Sequence, residues 1–301
     1  MSTTRPGSSQ ALASIALLGM GAAWGSTFFL IKDLLPRIGV ADLLAVRFAI
    51  GTVVLALVGF RHLWMDRTTL VRGIGLGALY GVAQLLQTAG LGQTSASNSG
   101  FVTGLYEVIT PLLAATVFRA RIGRWTWVAV ALATVGLGVL SVNGLTIGTG
   151  ELLTLASAAV YAGHILALSR WSTARTSISL AIVQMAVITL VCTVAAVPGG
   201  IALPASAPDW GRVVYLAVVA GAPTIVLQTW AQALVEPTRA AVIMASEPVW
   251  AAAFAVTLGT ESVTWRMLVG GLSIMTAMYL VELAPRLRRR RAVATSAVDV
   301  V

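Results

Sequence analysis

Charge is what this chain has least of. Only 10% of its 301 residues are charged and 57% are apolar, whereas charged residues make up about a quarter of an ordinary soluble domain. That scarcity excludes a soluble globular protein and assigns the chain to a bilayer. There is one cysteine, Cys192, inside an apolar stretch, which excludes a disulfide framework and a thiolate cluster for a metal. The two histidines, His62 and His164, do not stand in a His-Glu-x-x-His setting, so a zinc-dependent membrane protease is excluded. No G-x-x-x-x-G-K-S/T phosphate loop occurs, and direct coupling to ATP is excluded with it. No Ser-His-Asp trio is readable, and Lys32, the single lysine beside 19 arginines, is the only base a Ser-Lys dyad could use. This arginine bias is the coding habit of GC-rich bacteria, and it places the expected site of action in a bacterial inner membrane.

What is present is a series of long apolar runs. No Asp, Glu, Lys or Arg occurs from Gly73 to Tyr106 or from Ser177 to Pro208, far longer than the alternating segments of a membrane β-barrel. One spanning helix needs roughly 20 residues, so ten would use about 200 and leave about 100 for connections. The spans are predicted at Ala11–Ile31, Val40–Phe60, Leu70–Leu91, Ser97–Phe118, Trp125–Val142, Leu152–Ser169, Ile178–Val197, Val213–Leu234, Pro237–Gly259 and Val263–Val281. Turn chemistry separates them at Asn143-Gly144, at Pro198-Gly199-Gly200 and between Pro204 and Pro208. The expected fold is an all-α integral membrane bundle of ten transmembrane helices.

The net charge of +9 would suggest nucleic acid in a soluble protein. Here the arginines lie in short gaps and in a tail, Arg286 to Arg291, and act as topology signals. Fifteen of the twenty Lys and Arg fall on one side of the ten-span pattern; Lys32, Arg37, Arg212 and Arg266 fall on the other, and Arg47 lies inside a span. The positive-inside rule then puts both termini in the cytoplasm.

The two halves align in order. Ala22-Ala23-Trp24 falls on Ala159-Val160-Tyr161 and Arg47 on Gln184, both at an offset of 137. Gln87-Thr88 matches Gln228-Thr229, Thr110-Pro111-Leu112 matches Glu247-Pro248-Val249, and Trp125 matches Trp265. Five spans per half is an odd number, so the second half enters the membrane inverted, as in transporters that rock one half against the other. The expected organisation is a polar tail over 1–10, a first repeat over 11–142, a second over 143–283 and an arginine-rich cytoplasmic tail over 284–301.

Several local motifs carry a family likeness: Trp24-Gly25-Ser26 and Arg47-Phe48 in the first two spans, and Thr94-Ser95-Ala96-Ser97-Asn98-Ser99-Gly100-Phe101 opening the fourth. In the second half they are Pro237-Thr238-Arg239-Ala240-Ala241 and Glu247-Pro248-Val249 in the ninth. With these motifs the chain, from Ala11 to Val281, resembles the ten-helix EamA-type transporters of the drug/metabolite transporter superfamily. The family pattern ends the fourth span with Gly-Glu, where this chain has Arg119 to Arg121; the counterpart Gly259-Thr260-Glu261 keeps the acid one residue later. The resemblance implies export of an amino acid or related compound, or of an amphiphilic toxic compound, commonly coupled to protons.

Polar groups at membrane depth are the candidate site residues, because an ionisable side chain there is costly and usually faces the bundle interior. Arg47 lies seven residues into its span, about 10 Å along the axis. It either snorkels to the interface or shares a cavity with Trp24, Gln87 and Gln228. Glu107 and Glu247 stand beside helix-breaking prolines: Pro111 strips the Glu107 carbonyl of its helical partner, and Pro248 that of Met244. Each acid is either a transport group or a protonated or paired structural one. Ser99, Thr103, Glu107 and Thr110 form a polar stripe at helical spacing. His164 would titrate in the physiological range or serve only as a satisfied hydrogen-bonding residue. Tyr106, Tyr161 and Trp230 lie within spans and line a cavity or pack the core. Gly73, Gly75, Gly77, Gly81, Gly100 and Gly104 allow close helix approach.

The reading that results is a secondary transporter without cofactor or metal, taking a small polar or amphiphilic metabolite and working in the lipid bilayer as monomer or homodimer, without nucleic acid. An uncoupled facilitator or exchanger is the alternative within transport. A membrane enzyme on a lipid-linked substrate is the alternative from another class; it would need an interfacial polar cluster, for which Asp33, Asp42 and Asp209 are the material.

Overall fold

Three helices begin where a side chain satisfies a first-turn N–H group. In the computed structural model, which describes residues 8–119, 122–143, 146–173, 175–227 and 243–298, Asp66 opens α3 (Arg67–Gln93) by accepting from Thr68 and Thr69 N–H at 3.1 and 3.2 Å. Ser95 opens α4 (Ala96–Gly104) by accepting from Asn98 N–H at 3.0 Å. Ser206 opens α9 (Ala207–Val218), with Pro208 in the first turn, where its missing N–H costs nothing. That cap is why the eighth span starts at Ala207 and not at Val213: the Pro204–Pro208 stretch is partly helix. The other helices are α1 (Ser8–Leu34), α2 (Val40–Val58), α5 (Tyr106–Phe118), α6 (Arg124–Ser141), α7 (Thr149–Trp171), α8 (Ser177–Ala196), α10 (Glu247–Thr257) and α11 (Trp265–Val298). A helical turn over residues 222–227 continues α9, and a two-residue antiparallel rung, Val142–Asn143 with Thr146–Ile147, joins α6 to α7. The helix of α11 runs on through the expected arginine-rich tail.

Among the described residues seven helices have the length and apolar composition to cross a membrane: Ala11–Leu34, Val40–Val58, Arg67–Gln93, Ala96–Val117, Thr149–Trp171, Ser177–Gly199 and Ala207–Leu227. Arg124–Leu140 and Trp265–Val281 are shorter apolar helices. The remaining expected span, Pro237–Gly259, lies partly outside the described residues, as do Gln228-Thr229, Trp230 and the motif Pro237 to Ala241.

Small residues set the packing. Gly73, Gly77 and Gly81, one turn apart on α3, face Val183, Val187 and Val191, one turn apart on α8. A Cβ at Gly77 would lie 2.7 Å from Val187 Cβ and 2.8 Å from the Gln184 carbonyl, so only glycine lets the backbones meet. α6 and α11 cross at Gly136 and Gly270, where a Cβ on either would press the carbonyl of the other at 2.8 and 2.9 Å. α2 meets α8 through Thr52 and Thr189, whose hydroxyls are 3.0 Å apart.

Two interruptions shape the interior. Between α4 and α5 the helix breaks at Leu105, and α5 then runs unbroken through Pro111. The break thus lies one and a half turns before the expected proline site. Pro248 likewise sits in the first turn of α10, after a turn at Ala245–Ser246, where proline starts a helix and does not kink one.

Candidate functional site

The chain's mid-helix polar groups converge on one cavity. Trp24 of α1, Arg47 of α2, Gln87 of α3, Tyr106 of α5, Tyr161 and His164 of α7 and Glu247 of α10 line it, joined by Thr27, Tyr80, Gln84 and Thr103. It encloses about 100 Å³, below the roughly 300–1,000 Å³ of ordinary ligand pockets.

Arg47 is 5% exposed and lies on the cavity wall. Its place follows from a defect in α9. After Val218 the chain turns, and Ala220 N–H bonds to the Tyr215 carbonyl, five residues back, leaving the Leu216 carbonyl for Arg47 Nε at 3.2 Å. The guanidinium lies 5.0 Å from the Phe48 ring centre. Among the described residues Arg47 has no carboxylate partner, and the Leu216 carbonyl is the one acceptor recorded for its five donors.

The opposite wall is a hydrogen-bonded relay. Gln84 Nε2 donates to the Tyr161 hydroxyl at 2.7 Å, Tyr161 donates to Gln87 Oε1 at 3.2 Å, and Gln87 Nε2 donates to Thr103 Oγ1 at 3.0 Å. Gln84 Oε1 is buried with no hydrogen-bond partner among the described residues, which leaves an acceptor open. Tyr80 packs edge-on to Tyr161 and to His164, with centroids 5.4 and 5.1 Å apart. His164 Nε2 pairs with Gln184 Oε1 at 2.8 Å, which joins it to the residue aligned with Arg47. Trp24 Nε1 donates to Thr224 Oγ1 at 2.9 Å. Glu247, in the first turn of α10, is buried and shares the cavity wall with Tyr106.

Glu107 is not part of this wall. Ser99, Thr103 and Tyr106, at i, i+4 and i+7, share the buried face, and Tyr106 holds the cavity side where Glu107 does not. Thr110 turns its hydroxyl to the Tyr106 carbonyl at 2.7 Å. Gln228 and Trp230 lie outside the described residues. Sequence reasoning passed over Tyr80 and Gln84, although Tyr80, Gln84 and Gln87 repeat at helical spacing inside an uncharged run. Among the described residues no three His, Cys, Asp or Glu side chains converge in a way that would hold a metal.

The cavity continues in one direction. A smaller chamber of about 30 Å³ shares Trp24, Tyr80, His164 and Leu168 with it and reaches Ser172 and Ser177 at the α7–α8 turn.

The model of the EamA-like transporter family matches this chain twice, over residues 11–142 and 148–283. The chain belongs to the EamA-like transporter family. It is therefore a multi-pass membrane transporter and not an enzyme, and membership of the family implies a small-molecule substrate. An uncharacterized transporter of Archaeoglobus fulgidus is similar to this EamA-like chain, 28% identical over 272 residues, which cover 90% of this chain and 86% of the relative. A solved crystal structure of a protein has the same fold, with a TM-score of 0.63 at 20% identity over 93% of this chain and 98% of the other.

Proposed function

We propose that the protein is a secondary transporter of the bacterial inner membrane, with both termini cytoplasmic, exporting a small metabolite that carries an anionic group and a hydrogen-bond donor. The observation that carries this reading is Arg47: a permanent cation, buried in a central cavity, with one backbone carbonyl as its partner among the described residues. A carboxylate of the substrate would take two parallel bonds from the guanidinium fork. Gln84 Oε1 and Glu247 would accept from the substrate's N–H or O–H groups, and Tyr80, Tyr106 and Tyr161 give the cavity apolar sides with polar tips.

The bundle is read as ten crossings in two inverted repeats, 11–142 and 143–283, that rock about this cavity. Two contacts support it. Thr52 meets Thr189 at the offset of 137 that aligns the halves, and Gly136 and Gly270 press on each other reciprocally. Coupling to protons is assigned to Glu247 with His164 beside the same cavity, since Glu107 stands away from it. The test is transport in liposomes with and without a pH gradient. Glu247→Gln should still move substrate down its own gradient and lose the response to pH; a folded Glu247→Gln protein that keeps that response rejects the coupling role.

A further inference from the structure

One face of the bundle gathers charge in a way the cavity does not use. Arg37, in the α1–α2 turn, bonds Asp33 at 2.7 Å and Asp209 at 3.0 Å; Arg212 meets the same two acids at 3.4 and 3.2 Å. Asp33 ends α1 while Asp209 and Arg212 begin α9, so this quartet ties α1 to α9. Glu261, beyond α10, reaches the first turn of α4, where its carboxylate accepts from Ala96 and Ser97 N–H. Lys32 Nζ donates to the Leu91 and Gly92 carbonyls at 2.9 and 3.0 Å and so holds the end of α1 on the end of α3. Lys32, Asp33, Arg212 and Glu261 line one groove of about 360 Å³.

Beneath this charged layer lies an apolar one. Phe28, Ile31, Leu91, Ala96, Val213 and Ala251 are buried together, and Phe28 also lines the central cavity. The cavity is thus separated from the Lys32 face by two layers, while its smaller chamber leads toward the α7–α8 turn on the other face. The charged links join different helices, and the exposed members of such pairs are weakly held. That suits a closure made to open more than a permanent brace.

We propose that the Lys32 face is a gate: an apolar plug clasped by the Arg37, Arg212, Asp33 and Asp209 quartet and by Glu261 on α4. Opening of the cavity to that side requires these links to part. The inference rests on the reading of the cavity as the transport site.

The test is chemical access to one reporter. Thr27→Cys, on the cavity wall, is introduced into a Cys192→Ser background and labelled with a membrane-impermeant maleimide applied to one face at a time. Labelling from the α7–α8 side is expected to be the faster. Asp209→Asn and Glu261→Gln should each raise the labelling rate from the Lys32 face at least fivefold, and the charge-conserving Asp209→Glu should keep it near the starting rate. Unchanged Lys32-face labelling in variants that keep their unfolding midpoint would overturn the gate, as would an equal rise from both faces, which marks a loosened fold. Labelling that responds as expected in a protein that transports nothing keeps the gate and rejects the reading of the cavity. Unresponsive labelling in a working transporter does the reverse.

Discussion

Arg47 is the residue on which the proposed chemistry rests, because its charge cannot be shed and, among the described residues, the Leu216 carbonyl is the one hydrogen-bond acceptor recorded for it. Lys keeps the charge and loses the planar fork. Since a charged hydrogen bond is worth roughly 1.5–3 kcal/mol, Arg47→Lys should weaken substrate binding about tenfold or more. The aligned Gln184→Ala should cost much less, because Gln184 holds His164 and offers the substrate no charge. Binding to purified protein measures both, and equal small effects at the two positions would mean that Arg47 only fills space. Residues such as Arg47 and Glu247 were legible in the sequence because an ionisable group inside an apolar run stands out. Tyr80 and Gln84 were less so, since uncharged polar residues in a long apolar helix look like their neighbours until the fold turns one face inward. Glu107 stood out as Arg47 and Glu247 did, but its neighbour Tyr106 is the residue that lines the cavity.

Helices pair here by omission of side chains. Gly77 meets Val187 and the Gln184 backbone, neither of which can retreat as a flexible chain end would, so Gly77→Ala should destabilise by about 1–3 kcal/mol through overpacking. Gly75, whose added Cβ would lie 3.6 Å from the edge of Trp171, should accept alanine with little change. Thermal unfolding in detergent compares the two, and similar losses at both would reject the α3–α8 glycine seam. At the start of the same helix, the Thr69 hydroxyl and then the Thr69 and Thr68 N–H groups hold the Asp66 carboxyl below its ordinary range. A lowered folded-state value means that the cap's stabilisation is fully present above the ordinary value near ~3.9 and is lost as pH falls through the lower one. Asp66→Asn should therefore flatten the acid limb of the unfolding midpoint between pH 5 and pH 2, on the order of the range where carboxylates protonate; an unchanged limb would mean that other acids govern it. The glycine periodicity was visible in the sequence, but its partner helix was not, because a small residue records closeness without naming its neighbour.

For the whole molecule, the long uncharged runs and the arginine-rich gaps made the membrane bundle readable, whereas helix ends depended on caps such as Ser206 that only their local geometry reveals. Ten crossings predict that reporter fusions after Gly144 appear outside the cell and fusions after Arg291 inside; finding both fusions on one side would break the inverted pairing of the halves. Central to all of this is the carriage of substrate in the cavity between Arg47 and Glu247. Metabolites whose cellular levels fall when the protein is expressed supply the transport substrates, and exchange of each across liposomes bearing wild-type or Arg47→Lys protein tests that claim most directly. A half-saturating concentration raised about tenfold or more is expected in folded Arg47→Lys protein, on the strength of the lost charged hydrogen bond; saturation identical to wild type would contradict it.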